Sequence, residues 1–152
     1  IRAALRMHPT RILIGEVRGR EALDLLQAMN TGHDGSFSTG HGNSPRDMLS
    51  RLETMVLMAA DLPLPAIRSQ IASAIDVMVH VARLRDSSRK VTAIEEVDRY
   101  ENGEIVLNPL YRFQESGLAD GKTALAGKVE GELMRTGELR HKEKLRLAGL
   151  EL

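Results

Sequence analysis

The stretch RILIGEVRG, residues 11–19, decides the fold that the sequence predicts. Its apolar run from Ile12 to Ile14 is uninterrupted, which is typical of a strand buried on both faces in a parallel sheet. The run ends at Gly15, and Glu16 follows at once. Open α/β sheets bind their ligands at the carboxyl ends of parallel strands. We therefore expect Glu16 to lie at a ligand-binding edge; the alternative is a strand whose first polar residue happens to be glutamate.

A second stretch, TGHDGSFSTGHGNS at residues 31–44, contains His33 and His41. Between the two stretches, residues 21–31 carry apolar side chains at helical spacing, and residues 36–39 read as a short strand. Strand, helix and strand in this order predict a βαβ unit with parallel strands. The strand ends that carry Glu16 and His41 then lie at one edge of the sheet. The order of the elements thus groups these two residues in one site.

The rest of the first 114 residues predicts helices followed by an antiparallel meander. Ser44-Pro45 is a strong helix start, because serine caps and proline is tolerated at the first helical position. A shorter helix follows, with Ile67, Ile71 and Ile75 on one face. Asn102-Gly103 is a hairpin signal. Strands are predicted at residues 77–84, 89–97 and 105–113. The expected class is α/β, with a parallel βαβ unit followed by antiparallel strands and a small helical tail.

Composition excludes several classes of protein. Lys plus Arg equals Asp plus Glu at 21 each, so no net charge selects nucleic acid. Two Tyr, two Phe and no Trp offer no platform for stacking bases. Cysteine is absent, which excludes a disulfide framework and is compatible with the cytosol. No apolar run has the length of a membrane span. These observations predict a globular protein without a nucleic-acid partner.

We divide the chain at a change of composition. Residues 1–114 form the expected α/β domain, and residues 115–152 read as a glycine-punctuated appendage with a terminal helix near 140–148. The chain opens at Ile1 inside a helix-like stretch. We therefore expect it to be the C-terminal portion of a longer protein.

The motifs GEVRG and TGH…STGHGNS, in this order, resemble the ATPases of type II and type IV secretion and pilus systems. More narrowly, the chain resembles the branch that powers Tad/Flp-type pilus assembly. The resemblance continues through SPRDMLSRLETMVLMA (44–59), PLPAIRSQIASAID (63–76) and RLRDSSRKVTAIEEV (83–97). It implies the C-terminal part of a RecA-like P-loop ATPase core in a homo-hexamer. Such a motor binds ATP and Mg²⁺, and works at the cytoplasmic face of the membrane with inner-membrane platform proteins.

The resemblance also implies roles for single residues. Glu16 is identified as the Walker B acid, which holds Mg²⁺ through water, and His41 as the histidine-box residue that senses the γ-phosphate. Arg18 would contact a phosphate or pair with Glu16. Gly15, Glu16 and His33 would complete the nucleotide-binding set. A zinc site formed by the histidines and Glu16 is a weaker alternative, because their spacing is not tight.

Two further features have competing interpretations. Residues 117–123 resemble a phosphate-binding loop ending in Gly121-Lys122-Thr123, but three residues rather than four separate its glycines. We interpret it as a solvated turn, and the resemblance puts the true loop upstream of Glu16. The chain alone is therefore expected to be inactive. A basic cluster of Arg83, Arg85, Arg89 and Lys90 is either a solvated hairpin end or a subunit contact.

The function expected from the residues and the resemblance together is ATP hydrolysis that powers pilus assembly or secretion. The alternative is a non-catalytic module that only mediates oligomerisation in a secretion complex. The transported substrate, and the choice between assembly and retraction, do not follow from the sequence.

Overall fold

The computed structural model describes residues 1–118 and 128–150 as a mixed α/β fold. The helices are α1 (Arg2–Leu5), α2 (Glu21–Met29), α3 (Pro45–Ala59), α4 (Leu64–Ala74) and α5 (Glu143–Leu147). The strands are β1 (Leu13–Ile14), β2 (Phe37–Ser38), β3 (Val77–Arg83), β4 (Arg89–Glu101), β5 (Glu104–Leu118) and β6 (Val129–Arg135). Contacts divide the chain into two compact units. The first comprises Ile1–Asp76 with Arg99–Val106, and the second comprises Val77–Asp98 with Leu107–Leu152.

The first unit contains the predicted βαβ arrangement. Strands β1 and β2 pair in parallel, with Leu13 opposite Phe37, and α2 connects them. Helices α2, α3 and α4 pack against one another. Their apolar faces are buried because each helix repeats aliphatic residues every three or four positions. The largest buried side chains of this unit are Val17, Leu26, Val56, Ile67 and Ile71.

The prediction that residues 12–14 are buried on both faces is wrong for Leu13. Ile12 is 5% exposed, whereas Leu13 is 65% exposed. Successive side chains of a strand point to opposite faces, so Ile12 lies on the packed face and Leu13 on the other face, which is left exposed among the described residues. Within these residues β1 pairs only with β2. The regular strand is correspondingly short, and it ends directly before Gly15.

The second unit contains most of a four-stranded sheet in the order β3-β4-β5-β6. The pairs β3–β4 and β5–β6 are antiparallel. The predicted hairpin at Asn102-Gly103 is confirmed, because both residues have the positive φ of a tight turn, 51° and 85°. Strands β4 and β5 extend beyond the predicted ranges at both ends of this turn. The hairpin tip, residues 99–106, belongs to the first unit.

The C-terminal region contains a strand that the sequence did not predict. Residues Val129–Arg135 form β6, and α5 lies within the predicted terminal helix. The boundary proposed at residue 114 stays a prediction, and β5 continues across it to Leu118. The Gly121-Lys122-Thr123 segment lies outside the described residues. Among the described helices, none has both the length and the apolar character needed to cross a bilayer.

Two buried carboxylates of β4 hold the segment that follows β6. Glu96 is 1% exposed and accepts hydrogen bonds from the backbone nitrogens of Arg140 and His141, at 3.0 and 2.8 Å. The side-chain nitrogen of Asn108 donates to the same carboxylate at 2.7 Å. Asp98 accepts from the guanidinium of Arg140 at 2.6 Å, and its Oδ1 lies 3.0 Å from Nε2 of His141. We call this group of five residues the C-terminal clamp.

Candidate functional site

Three residues predicted from the sequence meet at the end of β1. Glu16 follows the strand after one residue, and its carboxylate has a different neighbour at each oxygen. Oε2 lies 2.5 Å from the guanidinium of Arg18, and Oε1 lies 3.0 Å from Nε2 of His41. The predicted grouping of Glu16 with His41 at one sheet edge is therefore present in the structure.

Backbone contacts beyond the regular strands bring the two loops together. The backbone nitrogen of Val17 donates to the carbonyl of Thr39 at 2.9 Å. The hydroxyl of Thr39 donates in turn to the carbonyl of Gly15. Val17 is 2% exposed, so this junction is also fixed by packing. Thr39 is a positioning residue that the sequence analysis missed, although it stands inside the histidine-containing stretch.

Helix α3 fixes the far side of the His41 loop. Its cap is Ser44, whose hydroxyl accepts a hydrogen bond from the backbone nitrogen of Asp47 at 3.1 Å, as the Ser-Pro pair predicted. Gly42 approaches this helix so closely that a Cβ there would lie 3.1 Å from the backbone nitrogen of Met48. A side chain at position 42 would push the loop away from the helix. His41 itself projects outward, with 79% of its side chain exposed.

The neighbours of Glu16 keep its carboxylate charged. The hydrogen bond from Arg18 is the largest influence and lowers the pKa of Glu16, while partial burial opposes it. The positive charges of Arg18, His41 and Arg51 lower that pKa further. Arg51 lies on α3, and no local sequence motif indicated that its charge would influence Glu16. The site therefore holds an ionised carboxylate beside the cationic Arg18.

One oxygen of this carboxylate has unused hydrogen-bonding capacity. Oε1 of Glu16 has no exposed surface and no hydrogen-bond partner among the described residues. Nε2 of His41 is near enough but does not have hydrogen-bonding geometry toward it. Buried acceptors are nearly always satisfied, so this oxygen suits an additional donor such as a metal-bound water. Mg²⁺ in nucleotide sites keeps several waters and needs only one or two carboxylates, which Glu16 fits.

Within residues 1–118 and 128–150, no group of three His, Asp or Glu side chains is arranged to hold a metal ion. His33, which the sequence analysis included in the nucleotide set, contacts the end of α2 instead. Its Nδ1 lies 3.2 Å from the carbonyl of Ala28. Gly15 contributes its carbonyl to the Thr39 bond, so its described contact is structural.

The basic cluster at the β3–β4 turn is partly neutralised within the second unit. The guanidinium of Arg85 donates to the carboxylate of Glu115 at 2.8 Å. The ammonium of Lys90 lies 5.2 Å from the centre of the Phe113 ring, a cation–π distance. These contacts agree with a structural role for both side chains, and the subunit contact stays a prediction.

Comparison with known proteins gives consistent matches over most of the chain. A family model described as "Type II/IV secretion system protein" matches residues 1–125. Rv3659c of Mycobacterium tuberculosis, named as a conjugal transfer protein, is 40% identical over 125 residues, which are 82% of this chain and 35% of the relative. PtlH, a type IV secretion system protein of Bordetella pertussis, is 46% identical over 86 residues, or 55% of this chain and 25% of the relative.

A solved structure also matches. The VirB11 ATPase from the Brucella suis type IV secretion system, crystallised in complex with sulphate, is 37% identical with a TM-score of 0.59. The match covers 62% of this chain and 31% of that chain. The chain spans 35% or less of the length of each of these three relatives.

Proposed function

The chain belongs to the type II/IV secretion system protein family, and we propose that it carries part of the ATP-hydrolysing centre of a secretion motor. The observation that carries the proposal is the Glu16 carboxylate, whose Oε2 is paired with Arg18 and whose buried Oε1 lacks a hydrogen-bond donor. A turn of the exposed His41 side chain, 3.0 Å away, would uncover Oε1 for a new donor. Such an oxygen is suited to orienting the water that attacks a terminal phosphate.

Each side chain of the site has a distinct task in this proposal. Glu16 holds and orients water at its free oxygen. Arg18 holds the other oxygen of that carboxylate, and His41, whose side chain is 79% exposed, can turn toward the phosphates without breaking a packed core. Mg²⁺ bound with ATP would supply positive charge to the phosphate oxygens. Gly15 and His33 would then act on the nucleotide only indirectly, through the loop and the end of α2.

Finer features of the proposal rest on the sequence resemblance. We infer a RecA-like core, a homo-hexamer, and a motor of the Tad/Flp pilus branch that docks on platform proteins at the cytoplasmic face of the inner membrane. Light scattering of the purified full-length protein, meaning the natural polypeptide that contains these 152 residues, tests the hexamer. Disruption of the gene tests the branch. Loss of surface pili supports it, whereas retained pili with failed secretion would assign another branch.

The catalytic proposal is tested by Glu16→Gln in the full-length protein. The substitution keeps the size of the side chain but removes its charge, so ATP binding should persist while phosphate release falls by about a hundredfold or more. The matched control is Glu104→Gln, because Glu104 is an exposed carboxylate whose partner, Arg46, is 3.7 Å away in the same unit. Near wild-type turnover of Glu16→Gln would contradict the proposal and favour a non-catalytic assembly module.

A further inference from the structure

Glu21, the first residue of α2, contacts the loop that carries Arg18. Its Oε1 accepts hydrogen bonds from the backbone nitrogens of Arg18 and Gly19, at 2.7 and 3.0 Å. These are charge-assisted bonds from backbone to carboxylate, which are stronger than those between neutral groups. The side chain thus ties residues 18 and 19 to the start of the helix.

The hydrogen bonds to Glu21 are linked to the candidate site through Arg18. Its backbone is held by Glu21, while its guanidinium returns to Oε2 of Glu16 at 2.5 Å. The chain between Glu16 and Glu21 is therefore pinned at both ends. A shift of the Arg18 backbone would move the group that fixes one oxygen of the Glu16 carboxylate, and with it the direction of the free oxygen.

We propose that Glu21 is a positioning residue for ATP hydrolysis, which orients the Glu16 carboxylate by fixing the backbone of Arg18. This inference rests on the proposed function, since it assumes that Glu16 acts on water. Glu21 acts through the backbone of the loop and not by contact with the substrate. The hydrogen bonds from Arg18 and Gly19 stabilise the ionised carboxylate of Glu21, because they lower its pKa despite some burial.

A general effect of an acid at a helix start does not explain the contact. Any carboxylate in the first turn is favoured by the helix dipole, and α2 has two of them, Glu21 and Asp24. Asp24 is bound by Arg2 at 2.9 Å, away from the loop. The residue at the usual cap position, Arg20, makes no side-chain capping bond. Asp24 is therefore a matched control with the same charge, helix and turn.

The test compares Glu21→Ala, Glu21→Gln and Asp24→Ala in the full-length protein. Glu21→Ala should lower kcat about tenfold with less than about a twofold change in KM for ATP, because positioning acts on the transition state. Glu21→Gln keeps an acceptor oxygen and should recover kcat to within about threefold of wild type. Asp24→Ala should leave kcat within about twofold, even if its melting temperature falls. Unchanged kcat in Glu21→Ala, or an equal loss in Asp24→Ala, would overturn the inference.

A second measurement separates this inference from the proposed function. Hydrogen exchange of the peptide containing residues 15–20 should quicken at Arg18 and Gly19 in Glu21→Ala and not in Asp24→Ala. If wild type shows no ATPase activity at all, the proposed function fails and the catalytic role of Glu21 fails with it. If wild type is active and Glu16→Gln is inactive, but Glu21→Ala shows normal kcat with faster exchange, only the positioning role is overturned.

Discussion

The two oxygens of the Glu16 carboxylate lie in different surroundings, although they belong to one charged group. Oε2 is bound by Arg18, whereas the buried Oε1 has no hydrogen-bond donor among the described residues. A carboxylate pinned at one oxygen cannot rotate freely, so the other oxygen keeps a defined direction. This is the preorganisation that catalysis by positioning requires. Arg18 therefore contributes to the site even if it never contacts a phosphate.

At the scale of single residues, His41 gives a testable prediction. His41→Ala in the full-length protein should lower ATP turnover about tenfold while the melting temperature is retained, because the side chain is mostly exposed and packs little. His33→Ala is the control, since His33 contacts the carbonyl at the end of α2 and should affect stability more than turnover. Unchanged turnover with reduced stability in His41→Ala would identify His41 as a structural residue.

At the scale of elements, the Ser44 cap determines where α3 begins, directly after the loop that carries His41. Ser44→Ala should lower the free energy of unfolding by about 1 kcal/mol, because the backbone nitrogen of Asp47 loses its acceptor. Ser50→Ala, in the middle of the same helix, is the control. Its hydroxyl contacts the carbonyl of Arg46 at 3.4 Å, and alanine is the better helix former, so stability should stay equal or rise. Denaturant unfolding of both variants measures the two free energies of unfolding. Equal losses of stability in Ser44→Ala and Ser50→Ala would contradict the capping role.

Elements with local signals were predictable from the sequence. The Ser44-Pro45 helix start and the Asn102-Gly103 turn depend on the chemistry of adjacent residues, and both occur as expected. Strand β6 was missed because only Val129 in it is buried and most of its other side chains are exposed, so no apolar alternation marks it. Leu13 was misjudged because its burial depends on whether an element packs on its face of β1, which no local pattern specifies.

In the candidate site, too, features with a local sequence signal were predicted, and features that depend on packing were not. The order strand, helix, strand was enough to bring Glu16 and His41 to one edge. The contacts of Thr39 and Glu21, and the influence of the Arg51 charge, could not be read from spacing, because each depends on the path of a loop or on the packing of α3. His33 was grouped with the nucleotide by its neighbours in sequence, yet its described contact is with α2.

At the scale of the whole molecule, we predict that the 152-residue chain by itself releases phosphate from ATP only at the background rate. Phosphoryl transfer depends on a cradle that holds the β- and γ-phosphates. The single Gly-Lys-Thr sequence, at 121–123, follows a glycine spacing that is one residue too short for that cradle. Calorimetry with Mg-ATP and a phosphate-release assay test this prediction. Robust hydrolysis that Lys122→Ala abolishes would contradict it.

The second unit should be most stable in mildly acidic solution. Burial alone would raise the pKa of Glu96, but the hydrogen bonds from His141, Asn108 and Arg140 outweigh it and lower that pKa. Its contribution to stability is therefore present above the ordinary value of 4.5 and is lost as the pH falls through the lowered one. The hydrogen bond to Asp98 raises the pKa of His141, so its contribution is full below 6.5 and is lost as the pH rises through the raised one.

Melting temperatures measured below pH 4.5, between pH 4.5 and 6.5, and above pH 6.5 check the prediction. The melting temperature should be highest between pH 4.5 and 6.5, as far as these two groups determine it. His141→Ala should remove the decline on the alkaline side, whereas His80→Gln, on β3 of the same unit, should preserve it. An alkaline decline that persists unchanged in His141→Ala would show that the clamp histidine is not its source.

The C-terminal clamp has a consequence for how the chain tolerates shortening. An exposed carboxylate is stabilised by hydrogen bonds from water. The backbone N–H groups of residues 140 and 141 replace that water at Glu96 and stabilise its buried negative charge. A chain cut before residue 137 would keep Asn108 as the remaining donor of the clamp to that carboxylate. The buried carboxyl would then favour its protonated form, so that removal of residues 137–152 would raise the pKa of Glu96, in β4, above its value in the intact chain.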